Sequence, residues 1–259
     1  TWINQNAGLR TVQLIVARRA IQRRFGLCGY SCRMRCVMFW SVIGFTLFVN
    51  MVPLTGDDWP QWRGTERLAI WHETGIVEDL PDELKVTWRL PIGGGYAGPA
   101  VAGGRVFVTD WVADPTSRTM DGTERLLVLD EETGHILWTH EWATTYRMLM
   151  ASYAIGPRAT PTVDGDRVYV LGATGRLFCL AVDDGTVLWQ KDYAADYDSS
   201  IPTWGTSSPP LVDGNRLITI VGGKPDAMVV AFDKHTGNEV WRSIETSSEM
   251  GYSPPVIYE

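Results

Sequence analysis

From residue 98 onward, apolar and polar positions alternate in short bursts, and the bursts recur as a unit. One unit occupies residues 98–111 and 124–138, a second 159–189 and a third 207–241, and a fourth opens at 251–259. Each begins with an apolar stretch led by proline (Pro99, Pro161, Pro210, Pro255) and then meets Gly103-Gly104, Asp164-Gly165 or Asp213-Gly214. Such pairs take up the positive φ of tight hairpins. The run Arg167-Val-Tyr-Val that follows has the period of two expected of a strand with two unlike faces. Leu177 to Val182 is an apolar third strand, and a last turn carries Gly134, Gly185 or Gly237, always four residues before Trp138, Trp189 or Trp241. The pattern predicts four short strands per unit. No helical apolar period of comparable length follows residue 57.

The tryptophans are 51 and 52 residues apart. Four strands and one fixed Trp in a period of ~40–50 residues predict blades of a β-propeller, in which radial stacking covers sheet faces that one blade would leave wet. At a seam between blades an indole buries ~150–250 Å², and turn Asp and Thr side chains satisfy backbone donors locally. Asp130, Thr133, Gly134, Trp138, Gly185, Trp189, Asp233, Thr236, Gly237 and Trp241 are therefore read as architecture. The expected fold is all-β: about four antiparallel blades forming an open arc, preceded by an apolar N-terminal helix. The strand around Lys85–Trp88 lacks a Thr-Gly turn before it and reads as the outer strand of a shared blade completed by a distant C-terminus.

Charge divides the chain. Residues 1–56 carry seven Arg and no acid, leaving 16 Lys+Arg against 30 Asp+Glu in the remainder. A domain so acidic repels nucleic-acid phosphates, so no nucleic-acid partner is expected. Residues 1–36 read as a basic leader or untranslated upstream sequence. Residues 37–56 contain eighteen uncharged positions, 37–54, between Arg33/Arg35 and Asp57/Asp58. That order fits a signal peptide or a membrane anchor, hence export to the periplasm or cell envelope with 37–54 as a possible tether. Residues 57–97 form an opening segment and 98–259 the blades, cut short at the C-terminal side.

Ala231-Phe-Asp233-Lys-His-Thr236-Gly237-Asn-Glu-Val-Trp241 resembles in full the tryptophan-docking pattern of pyrroloquinoline-quinone (PQQ) type propellers. Val128 to Trp138 departs from it at one position, and the second unit keeps only Gly185 and Trp189, with Ala181 in place of Asp. Asp58-Trp59-Pro60-Gln61-Trp62-Arg63-Gly64, then Glu73-Thr-Gly75 and Trp88, resembles the start of secreted PQQ-like repeat proteins of planctomycete-type bacteria. The resemblance implies one of two functions. Quinoprotein dehydrogenases of this fold hold PQQ and Ca²⁺ on the central axis, use an Asp base and commonly carry a Cys-Cys disulfide. Cofactor-free members include a scaffold lipoprotein of outer-membrane protein assembly.

The repeats hold no Cys-Cys pair. Cys179 alone lies there, in an apolar strand, and no Asp base or calcium-binding Glu is assignable. His72, His135, His140 and His235 stand apart, and Gly93-Gly94-Gly95 lacks a P-loop Lys. The expectation is thus a binding or scaffold propeller without cofactor or metal, the alternative being a PQQ- and Ca²⁺-dependent alcohol or sugar dehydrogenase. Tyr96, Arg158, Ser207 and Tyr252 stand three residues before the equivalent prolines, with Trp204 just upstream of Ser207. These place a ligand site for a protein, small molecule or polysaccharide at one mouth of the channel. Asp110–Glu124, Glu141–Gly156 and Tyr193–Thr206, polar and aromatic, are expected to be loops.

Overall fold

The computed structural model describes residues 2–3, 10–15, 56–73, 82–150 and 155–257. Its strands are β1 (Trp2–Ile3), β2 (Arg10–Ile15), β3 (Val86–Ile92), β4 (Ala100–Ala102), β5 (Arg105–Ala113), β6 (Asp121–Asp130), β7 (Ile136–Thr145), β8 (Thr162–Asp164), β9 (Arg167–Leu171), β10 (Arg176–Ala181), β11 (Val187–Asp192), β12 (Leu211–Asp213), β13 (Arg216–Gly223), β14 (Ala227–Asp233) and β15 (Glu239–Ser243). They form three four-stranded antiparallel sheets, β4 to β7, β8 to β11 and β12 to β15, each in sequence order, and a three-stranded sheet β1-β2-β3. This is the incomplete propeller that the repeats predict. The strand Val86–Ile92 pairs with Arg10–Ile15, within the stretch read as a leader, rather than with the C-terminal side of the chain. The apolar stretch 37–54, with the expected helix, lies outside the described residues, and among the described residues no helix is long and apolar enough to cross a membrane.

Each interior sheet buries both faces. Leu126 and Val128 face one neighbour with Phe107, Val168, Val170, Phe178 and Leu180, while Leu127 and Leu129 face the other with Trp88, Ile92, Val106 and Val108. Tyr169, Leu171, Leu177 and Cys179 pack in turn on Leu217, Val221, Val230 and Phe232. Two apolar faces at period two give a nearly continuous apolar run, as in Leu126–Leu129 and Leu177–Leu180. The far side of the last sheet is only half covered: Ile218, Ile220 and Val229 are partly exposed there.

Two predicted loops are instead strand. Much of Asp110–Glu124 and the first part of Glu141–Gly156 extend β5, β6 and β7, with Ala113 opposite Gly122 and Asp121 opposite Thr145. Their polarity is consumed internally: Arg125 grips buried Asp110 through Nε at 2.8 Å and Nη2 at 2.6 Å, and Gly93 N donates to Asp110 Oδ2 at 2.6 Å. The third stretch contains a short helix, α1 (Tyr193–Tyr197), capped by Asp192.

Candidate functional site

The three seams share one geometry. Trp88 Nε1 donates to Glu131 O at 2.8 Å, Trp138 Nε1 to Val182 O at 2.9 Å and Trp189 Nε1 to Lys234 O at 3.1 Å. Each indole thus reaches from one sheet to the last turn of the next. Beneath it lies Gly134, Gly185 or Gly237, at φ of 72°, 75° and 72°. A β-carbon there would approach Trp88, Trp138 or Trp189 to 2.4, 2.6 or 2.7 Å. The turns are locked by acceptors: Asp130 Oδ1 receives Thr133 N at 2.8 Å and Thr133 Oγ1 at 2.6 Å, and Asp233 Oδ1 receives Thr236 N at 2.8 Å and Thr236 Oγ1 at 3.0 Å. These bonds hold both carboxyls below the ordinary Asp range, Asp130 chiefly through the Thr133 hydroxyl and Asp233 chiefly through the Thr236 amide. In the middle unit, where Ala181 replaces Asp, Asp184 Oδ1 instead accepts Thr186 N at 2.9 Å. Trp241 occupies the matching position on the last sheet, 36% exposed, beside a shallow concavity lined by Val229, Arg242, Ser243 and Ile244. That concavity lies at the end of the outer strand β15 from which the chain leaves the third sheet.

Those connections gather on the opposite end from the docking turns, because in each sheet the first and third turns share one end. There the five predicted ligand residues form a continuous arc. Tyr96 N donates to Pro157 O at 2.8 Å, next to Arg158. Arg158 Nη1 donates to Gly156 O at 2.7 Å, and a β-carbon on Gly205, beside Trp204, would meet that nitrogen at 3.3 Å. Ser207 Oγ donates to Tyr252 O at 3.3 Å. Tyr96, Trp204 and Tyr252 are 40%, 40% and 41% exposed, whereas Arg158 is partly buried, its guanidinium 6.0 Å from the Tyr146 ring centroid.

The arc rests on a rigid floor. Glu124, fully buried, accepts from Tyr146 Oη at 2.5 Å, Ala173 N at 2.9 Å and Trp142 Nε1 at 2.7 Å, so it ties β6 to the second sheet. Burial pushes its carboxyl above the ordinary range, against the pull of those donors and of Arg158. Tyr146 stacks on Trp111 with centroids 5.0 Å apart. Gly93 to Gly95 form part of the same floor, where Gly94 and Trp111 exchange backbone hydrogen bonds. Cys179 is buried and reduced, its thiol pushed up to about 12 by desolvation.

One group of residues escaped the sequence reading. The opening segment runs along the inner strands: Trp59 and Val101 exchange both backbone bonds, at 2.8 and 3.0 Å, Val163 N donates to Pro60 O at 2.8 Å, and Asp58 accepts from Gly103 N at 3.2 Å. Arg67, 2% exposed, then sends Nη1 to Pro255 O at 3.1 Å, Nη2 to Pro210 O, both to Pro209 O at 3.4 Å, and Nε to Gln61 Oε1 at 3.0 Å. The run Asp58–Gly64 signalled a distinct segment, but nothing in it pointed to Arg67.

A family profile described as outer membrane protein assembly factor BamB matches residues 80–154 and 122–256, well over half the chain. The chain belongs to this PQQ-like repeat family. Among relatives, an uncharacterized protein of Rickettsia prowazekii (strain Madrid E) is 29% identical over 144 residues, 52% of this chain and 32% of that one. A quinoprotein ethanol dehydrogenase of Pseudomonas putida is 27% identical over 135 residues, 49% of this chain and 21% of that one. The BamB-type chain thus spans about a third or less of these curated relatives. Similar solved structures include BamB from Moraxella catarrhalis (21% identity, TM-score 0.40, 65% of this chain and 43% of that one) and a quinohemoprotein alcohol dehydrogenase from Comamonas testosteroni (19%, 0.49, 71% and 27%).

Proposed function

We propose that this chain is part of an exported PQQ-like propeller that binds a protein partner through its loop face, without quinone chemistry of its own. The observation that carries the reading is the arc of Tyr96, Trp204 and Tyr252, exposed on the face where the sheets connect, above a buried, hydrogen-bonded floor. Tyr and Trp on a rigid base supply large contact area at small entropic cost, the composition of energetic anchors in protein interfaces. Met148 and Met150, exposed beside the arc with Met150 N donating to Thr203 O at 2.8 Å, add adaptable apolar surface. The family description, an outer membrane assembly factor, favours a protein ligand and an envelope location.

The alternative, a PQQ- and Ca²⁺-dependent dehydrogenase, fits the described residues poorly. Among them no three His, Cys, Asp or Glu side chains converge as a hard cation requires, and the inner strand edges facing the axis are taken by Trp59, Pro60 and Arg67. Cross-linkable phenylalanine analogues at positions 204 and 252 should capture envelope proteins that the same analogue at position 213, on the docking-turn face, does not. With the analogue at position 96 instead, the pair Trp204→Ala and Tyr252→Ala should abolish capture without moving the melting transition. Equal capture from both faces, or dye-linked alcohol oxidation on adding PQQ and Ca²⁺, would overturn the reading.

A further inference from the structure

We propose that the main-chain carbonyls of Pro209, Pro210 and Pro255, with Gln61 Oε1, form a guanidinium-binding site near the propeller axis, filled in cis by Arg67 so that residues 58–67 act as an internal strap. Four observations carry this. The site offers acceptors only, arranged to meet Nε and both terminal nitrogens of one side chain, which suits a planar five-donor fork and not a compact ammonium. Among the described residues no carboxylate pairs with Arg67, whose guanidinium meets carbonyl and amide oxygens there, and burial lowers its pKa to about 10. The backbone is bent to deliver it: Arg63, Glu66, Arg67 and Ala69 all sit at positive φ, between 57° and 62°. Residues rarely hold that conformation unless surrounding contacts over-determine it. Finally, the carbonyls of Pro209 and Pro210 lie just before β12 and that of Pro255 at the equivalent place of the fourth unit, while Trp59 and Pro60 bind β4 and β8. One segment thereby spans four consecutive units and covers inner strand edges that would otherwise present unpaired backbone groups.

The carbonyls that hold Arg67 follow the loop-face residues Ser207 and Tyr252 by two or three positions, but the site stands whether or not that face binds a partner. It is tested by hydrogen exchange on the full chain. Arg67→Ala should speed exchange of peptides covering 58–67, 100–102 and 162–164 by about ten-fold or more, while peptides covering the turns at 130–134 and 233–237 keep their rates. Methylguanidinium at about 20 mM, far below denaturing concentrations, should restore protection to Arg67→Ala, and equimolar ammonium should not. Arg67→Lys, which keeps the charge and loses the fork, should fall between parent and Arg67→Ala. Unchanged exchange in Arg67→Ala, equal rescue by ammonium, or parental rates in Arg67→Lys would overturn the proposal. If Arg67→Ala unfolds globally, Arg67→Lys decides alone: faster strap exchange with docking turns unchanged supports the site, and parental rates refute it.

Discussion

Replacing Gly185 by alanine separates two costs that a turn glycine usually confounds. Gly185 and Gly165 have similar backbones, φ 75° and 59°, but different surroundings. A β-carbon at Gly165 meets nothing within 4 Å, whereas at Gly185 it comes within 2.6 Å of the Trp138 indole. Gly165→Ala should therefore cost only the left-handed strain of an L-residue, about 1–2 kcal/mol. At Gly185 the indole cannot retreat freely, because Nε1 is bonded to Val182 O and the ring packs against the buried cluster of the two sheets. Overpacking adds about 1–3 kcal/mol, bringing the total to roughly 2–5 kcal/mol and, at 2–4 °C per kcal/mol for a chain of this size, a melting shift of about 4–20 °C against 2–8 °C for Gly165→Ala. Gly134→Ala and Gly237→Ala should behave as Gly185→Ala does. Thermal unfolding followed by near-ultraviolet circular dichroism, which reports the packed indoles, reads all four. If Gly185→Ala and Gly165→Ala melt alike, the indoles do not rest on these turns.

Two further predictions concern pH. The depressed carboxyls of Asp130 and Asp233 contribute stability above the unfolded value of about 3.8, and that contribution is lost as pH falls through the lower folded values. Asp130→Asn and Asp233→Asn should therefore lose less stability than the parent on acidification from about pH 5 to about pH 2, measured by urea midpoints; parallel acid limbs would contradict this. Glu124 has the opposite sign, since its raised folded value makes its contribution largest in acid and smaller as pH climbs through that value. Glu124→Gln should remove this slope and cost about 1–3 kcal/mol at acidic pH, because the amide must turn a donor toward Tyr146, Ala173 or Trp142. An unchanged pH profile would assign the slope to another group.

Strands and seams were legible because they rest on local rules. Period-two runs ended by turn glycines define β8 to β14, and a Trp four residues after a turn glycine marks the seam contacts of Trp138 and Trp189. The arc of Tyr96, Arg158, Trp204, Ser207 and Tyr252 follows from the same repetition, though Arg158 proves to be occupied with Gly156 O and the Tyr146 ring. The long ends of β5 to β7 were misread as loops because polarity signals solvent only when it is not satisfied inside, and Asp110, Glu124 and Arg125 are satisfied inside. Arg67 was illegible for a deeper reason. All its partners but Gln61 are backbone carbonyls 142 to 188 positions away, and main-chain acceptors carry no residue-type signature.

Because every interior sheet is wedged on both sides, no unit owns its stability; each borrows from the two that flank it. Such a stack behaves as a one-dimensional lattice with nearest-neighbour coupling. A lesion at one indole loosens the adjoining pair and fades beyond it, except where residues 58–67, stitched across four units, carry the disturbance straight to the hub.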